Sequence, residues 1–274
     1  MTEIGRPTTA HALPGVDGLR LEWSGRTDVG RRRAHNEDSY LAEAPLFVVA
    51  DGMGGHSAGD VASAAVVDRL HRLVTRDGAA QAGASPAEVS PDDVEEALRL
   101  ATEDIAVAAE GSDLGAGTTV TGALVQVVDD QPCFTVFNVG DSRVYVLDGE
   151  TLTQVTVDHS VVQEMVAAGL LHPDDAEKHP DSNVITRAVG FDPEPRPDWW
   201  RFALRPGMRL LACSDGLTKE LSPRHIGALL VATEGADAAA RALVDAAVDA
   251  GGRDNVTAVV VDVVAHPDGA DAGH

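Results

Sequence analysis

Apolar positions along this chain follow two rhythms, one of period two and one of three-to-four spacing. "TVTGALVQVV" (119–128), "CFTVFNVG" (133–140), "SRVYVL" (142–147) and "TLTQVTV" (151–157) are short β-rich runs, separated by "DDQP", Gly140-Asp141 and "DGE". Links this short join antiparallel neighbours, because a parallel crossover takes roughly a dozen residues or more, so the four runs predict a meander. Val94, Leu98, Ala101, Ile105 and Ala108 recur at helical spacing behind Ser90-Pro91-Asp92-Asp93, a helix start with a capping serine and a proline in the first turn. A second helix follows the stretch "LFVVADGMGGHSAGD" (46–60), with Val66, Leu70, Leu73 and Val74 on its apolar face and Gly78 near its end.

Beyond residue 158, Ser160 to Leu171 reads as an amphipathic helix, and "HPDDAEKHPDSN" reads as a polar loop with one helical turn, the look of a lid. The last third predicts a strand at 209–213, a helix after Ser222-Pro223, an alanine-rich helix at about 236–249 and a final strand, Val256 to Val264. Valines on both faces of that strand require cover on both sides. The pattern predicts α+β architecture: mainly antiparallel sheets packed together, with helices outside.

Composition narrows the class. In 274 residues, 44% hydrophobic, there is material for one large core, and one domain is expected over 19–265, with ragged, flexible ends at 1–18 and 266–274. The formal net charge of −23 repels nucleic acid and anionic membrane, so a phosphate-bearing partner needs a local cationic centre. Cys133 and Cys213 each sit in an apolar stretch and read as buried thiols in a reducing, cytoplasmic setting. The first residues carry no basic-then-apolar signal pattern, and no apolar run approaches the ~18 residues of a membrane span.

Asp-Gly recurs at 17, 51, 77, 148, 215 and 268, mostly as turns. Asp148-Gly149 reads as a two-residue hairpin turn. Asp51 and Asp215 differ, because each follows an apolar strand ("LFVVA", "RLLACS") and precedes a segment that does not pair straight back. Such carboxylates project from a sheet rim, where burial is costly without a cation to neutralise them. Asp254 in "GGRDNVTAVVV" also stands at a strand rim, and Asp141, Glu37 and Asp38 add acidic candidates. An oxygen-only set selects hard cations, Mg²⁺ or Mn²⁺, over zinc. Gly52, lacking a side chain, leaves its carbonyl free to approach an ion.

The glycine-rich turn does not fit a nucleotide fingerprint, since Ser57 stands where the third glycine of G-x-G-x-x-G is needed, and no Gly-Lys-Ser/Thr occurs there. Arg31, Arg32 and Arg33 are either a solvated patch or a phosphate-binding group, whose guanidinium fork matches phosphate oxygens. His56 is either a proton donor or a polar residue near a helix start. Gly117, Thr118 and Thr119 read as residues opening a strand, and Asp158-His159-Ser160 as a helix cap.

In this order, "RAHNED", "VVADGMGGH", "GTT", "VGDSR", "NVITRAVG", "CSDGL" and "RDNVTAVVV" resemble the bacterial form of the metal-dependent serine/threonine protein phosphatases of the type 2C (PPM) family, over roughly residues 22 to 264. The resemblance implies a four-layer αββα sandwich of two antiparallel sheets flanked by helices. It implies two divalent cations, Mn²⁺ or Mg²⁺, in a cleft at one end, with Asp51 bridging them and Asp215 and Asp254 completing one shell. The second ion would take the Gly52 carbonyl, with Glu37 and Asp38 acting directly or through water. Alternation along a strand forbids both of these from ligating directly unless the chain is irregular there.

Asp141 matches the residue that helps hold a third, weaker ion, and Arg33 the phosphate-binding arginine. The segment from about 161 to 183 matches the flap over the cleft, where substrate selection is expected. Eukaryotic relatives carry a histidine directly after the Asp-Gly, assigned as general acid; here Met53 holds that place, and His56 is the bacterial-type histidine. The implied activity is hydrolysis of phosphoserine and phosphothreonine monoesters, by in-line attack of a water held between the ions and without a covalent intermediate. The implied partners are phosphorylated proteins, substrates of serine/threonine kinases, met by a monomer. A non-catalytic phosphoprotein-binding module on the same fold and a small-molecule phosphoester hydrolase with a different flap are the rival readings.

Overall fold

The computed structural model describes residues 1–4, 8–12, 18–54, 58–75, 89–109 and 115–265. Among them, one sheet runs in the order β1 (Glu3–Ile4), β4 (Asp38–Glu43), β5 (Leu46–Gly54), β7 (Val120–Val128), β8 (Gln131–Val139) and β11 (Asp198–Ala203), with β6 (Ala116–Thr118) paired to the end of β5. The second runs β10 (Thr151–Gln154), β9 (Arg143–Asp148), β12 (Arg209–Cys213), β13 (Val256–Ala265), β3 (Leu19–Asp28) and β2 (Thr8–Ala12). Every pairing is antiparallel except the parallel β1–β4 contact.

Strand alternation explains the layers. In β13, Val259, Val261 and Val263 face the other sheet, while Val256, Ala258 and Val260 face the helices α6 (Pro223–Ala232) and α7 (Ala236–Ala250). In β5, Phe47 and Val49 join the core between the sheets, and Leu46, Val48 and Ala50 pack under α1 (Ala58–Thr75) and α2 (Pro91–Ala108). The result is the expected αββα sandwich. Ser90 caps α2 as its sequence requires: its hydroxyl accepts the Asp93 N–H, and the Asp93 carboxylate accepts the Ser90 N–H at 3.0 Å.

The predicted meander is two hairpins in different sheets. β7 pairs with β8 and β9 with β10, but β8 and β9 are not partners. Gly140, at φ +114, turns the chain from one sheet across to the other. A three-residue link suits a sandwich corner as well as a hairpin, and only the lateral partners distinguish the two. The N-terminal stretch, expected to be ragged to residue 18, contributes an edge strand to each sheet through Glu3–Ile4 and Thr8–Ala12. The expected helix at 160–171 is shorter, α3 (Val161–Ala167), followed by the single turn α4 (Pro173–Ala176). The run at 151–157 keeps strand geometry only to Gln154. The expected C-terminal tail, 266–274, and Gly78 lie outside the described residues.

Candidate metal centre

The strand alternation that builds the inter-sheet core continues into its polar end. Two residues beyond Val49, Asp51 falls on the same face of β5, and Asp38 is its direct partner in β4. From the opposite sheet, Ser214 follows Ala212 and Thr257 precedes Val259 with the same parity. Both hydroxyls donate to Asp38 Oδ2, at 2.8 and 2.6 Å. The apolar sandwich thus ends in a layer of carboxylate and hydroxyl groups.

Around that layer, Arg33, Glu37, Asp51, Gly52, Asp141, Asp215 and Asp254 line one cleft of ≈ 410 Å³, together with Met53, Thr119, Asn183, Ile185 and Lys219. Asp38 lies beneath it, fully buried. Glu37 precedes the first residue of β4, and its carbonyl accepts the Gly52 N–H at 3.1 Å and the Ser63 hydroxyl at 2.6 Å. The chain is irregular there, which frees Glu37 from strand alternation and lets it join the cleft wall while Asp38 occupies the floor. His56 lies outside the described residues.

Gly52 has a packing reason that the sequence hides. A Cβ there would come within 2.0 Å of the Gly59 carbonyl oxygen and 2.6 Å of that of Glu37. The absent side chain therefore lets the first turn of α1 seat directly on the end of β5. Access of the Gly52 carbonyl to an ion is a consequence of that close approach, not its sole cause.

Several positions escaped sequence reading. Thr119 Oγ accepts the Asp51 N–H at 3.2 Å, Thr118 Oγ donates to the Asp51 carbonyl at 2.9 Å, and Thr119 N–H donates to the same carbonyl. These two threonines clamp the backbone of Asp51 besides opening β7. Asn255, buried at the start of β13, donates to the Val29 and His35 carbonyls at 2.9 and 3.0 Å and accepts the Glu37 N–H at 2.9 Å. It ties the loop bearing Arg33 and Glu37 to the strand that follows Asp254. Ser160 caps α3 as expected, but Asp158 also receives the Arg143 guanidinium at 2.7 Å, and His159 Nδ1 accepts the Gly140 N–H at 3.1 Å.

Electrostatics mark the cleft as a place that wants positive charge. Burial, with the nearby carboxylates adding to it, raises Asp51 well above the ordinary 3.8; the largest of those contributions comes from Asp38. Burial likewise raises Asp38 and Asp141 to about 7, and lifts Glu37. Two fixed cations answer part of this. Arg33 grips Asp254 with Nε at 2.9 Å and a terminal nitrogen at 3.0 Å. The Lys219 ammonium contacts Asp215 and stands 3.6 Å from Asp254.

The donors suit hard cations: all are oxygens, and both Asp38 and Asp215 keep a buried Oδ1 without a hydrogen-bond partner. Among the described residues no three acidic or histidine side chains are already closed into an ion cage. Asp215 and Asp254 are instead paired with the two cations.

Known proteins resemble this chain in sequence and in fold. The protein phosphatase 2C family model matches residues 29–246. The chain is 39% identical over 249 residues to the serine/threonine protein phosphatase PstP of Mycobacterium tuberculosis, covering 90% of this chain and 46% of that protein, so it spans about half the relative's length. It is 35% identical to the protein phosphatase PhpP of Streptococcus pneumoniae, covering 88% of this chain and 97% of the relative. The solved PstP catalytic domain in complex with two manganese ions superposes with a TM-score of 0.77 at 36% identity, covering 90% of this chain and 99% of that one.

Proposed function

The chain belongs to the protein phosphatase 2C family, and on that premise we propose that it is a metal-dependent serine/threonine protein phosphatase hydrolysing phosphoserine and phosphothreonine monoesters. The observation that carries the reading is the cleft into which five separate stretches of chain send Arg33 and Glu37, Asp51, Asp141, Asp215 and Asp254. Asp51 would be shared by two divalent cations, with Asp215 and Asp254 on one and the Gly52 carbonyl, Glu37 and Asp38 on the other, directly or through water. Asp141 would help hold a third. Bound there, Mn²⁺ or Mg²⁺ supplies Lewis-acid charge and an acidified water for in-line attack at phosphorus.

The protein's own groups do the rest. Arg33, half-exposed at the cleft mouth, spends Nε and one terminal nitrogen on Asp254 and would offer its other terminal nitrogen to a phosphate oxygen, neutralising charge that builds there. Burial works against the charge on Arg33, but Asp254 overcomes it and holds the group protonated. Thr118, Thr119 and Asn255 fix the backbones of Asp51 and of the Arg33 loop, so the acids and the fork keep their relative placement. His56 is the candidate donor to the leaving serine or threonine oxygen. If His56→Ala slows an activated aryl phosphate and a phosphopeptide equally, that task is not its own.

Asn183 and Ile185 reach the cleft from the end of the 161–183 segment, in keeping with substrate selection by that flap. Phosphorylated products of serine/threonine kinases are the proposed substrates. Free, buried Cys133 and Cys213 are in keeping with a reducing, cytoplasmic setting, and a monomer is the proposed form. No described helix is long and apolar enough to cross a membrane. Of the rival readings, a non-catalytic module is disfavoured because every acidic position of the two-ion set is filled. The test is phosphate release from a phosphothreonine peptide: dependence on Mn²⁺ and arrest by chelator are expected, and absence of release with Mn²⁺ present refutes the reading. Faster turnover of small phosphometabolites than of phosphopeptides would favour the small-molecule hydrolase.

A further inference from the structure

Lys219 follows Asp215 by four residues, immediately after the short helix α5 (Asp215–Thr218), so one helical turn sets its side chain beside that carboxylate. Its ammonium contacts Asp215 Oδ2 and lies 3.6 Å from Asp254 Oδ2. These are the two acids proposed to complete one ion's shell.

An ammonium and a divalent cation seek the same carboxylate lone pairs. Asp215 Oδ1 is free, but an ammonium on Oδ2 sets a positive charge within a few ångströms of any divalent ion on the same carboxylate, and the two charges repel. Lys219 has somewhere to go. It also lines a neighbouring cavity of ≈ 460 Å³ beneath the 176–183 stretch, whose walls include Asp158, already paired with Arg143, and the acid Glu177. The two cavities share Asp141, Asp215, Lys219 and Asp254 in their walls, so the flexible lysine stem borders both.

We propose that Lys219 is a built-in counter-ion to Asp215 and Asp254, which competes with the incoming divalent cation and swings toward Glu177 when that cation binds. The inference rests on the metal-site reading above. Lys219 lowers the affinity of the centre for metal and offsets carboxylate repulsion in the fold when metal is withdrawn.

The test is Mn²⁺ titration by calorimetry of the chelator-stripped full chain, with thermal unfolding in chelator and in saturating Mn²⁺. Lys219→Met is expected to bind Mn²⁺ more tightly, on the order of tenfold, the scale of one lost charge-assisted contact. Its Tm should fall below wild type in chelator and match wild type in Mn²⁺. Lys219→Arg, which keeps the charge, should follow wild type in both measurements. Equal Mn²⁺ affinity of Lys219→Met and wild type overturns the inference, as does an equal Tm drop in both conditions, which marks an ordinary ion pair. Failure of the wild type itself to take up Mn²⁺ instead overturns the metal-site reading beneath it.

Discussion

Asp38 and Asp51 are direct cross-strand partners on β4 and β5, two carboxylates set side by side where the core between the sheets ends. Burial raises Asp38 from 3.8 to about 7, even though Thr257 and Ser214 donate hydrogen bonds to it. A carboxyl group whose folded pKa lies above its unfolded value costs stability when it ionises. The cost is absent below about pH 3.8, grows as pH rises, and is complete above about pH 7. Asp38→Asn keeps an acceptor for both hydroxyls and removes that charge. In chelator, its stability advantage over wild type should be near zero at about pH 4 and reach on the order of 2–4 kcal/mol at about pH 8, measured by urea unfolding. A pH-independent difference would contradict the account, and added Mn²⁺ should reverse the advantage.

Asn255 is the joint between the Arg33 loop and the acid-bearing strand. Asn255→Ala strands the Glu37 N–H and two carbonyls, at a cost of about 2–4 kcal/mol. Displacing the guanidinium fork should also lower kcat/KM on a phosphopeptide by on the order of tens to a hundredfold. Hydrogen exchange should quicken over residues 29–37 and stay unchanged in β7 and β8. Unchanged exchange in the loop would show that another contact holds it.

Gly52→Ala separates packing from metal chemistry. Because the added methyl would meet backbone rather than a movable side chain, the variant should lose more than about 2 kcal/mol of stability, in chelator and in Mn²⁺ alike. Loss confined to the metal-loaded protein would assign Gly52 to the ion alone.

The layers were legible in the sequence because strand alternation records which face is covered: valines on both sides of β13 predicted two packed faces, and the apolar run Leu46–Ala50 is buried on both faces in the same way. The same parity, carried two residues past Val49, places Asp51 at the sandwich rim. What alternation does not encode is lateral partnership, so Gly140 read as a hairpin turn although it carries the chain between sheets. Lys219 was invisible because an acid and a lysine four apart occur on any solvated helix. Asn255 was missed because its partners, Val29, His35 and Glu37, lie more than two hundred residues away in the chain. Only the fold brings such groups together.

Whether acids from distant segments bind a pair of divalent cations through Asp51 is decided by calorimetric Mn²⁺ titration of wild type beside Asp51→Asn. The account predicts two Mn²⁺ per wild-type chain and loss of that uptake in Asp51→Asn, with the fold intact by circular dichroism. A folded wild-type protein that takes up no Mn²⁺, or an Asp51→Asn variant that binds two with unchanged affinity, would contradict it.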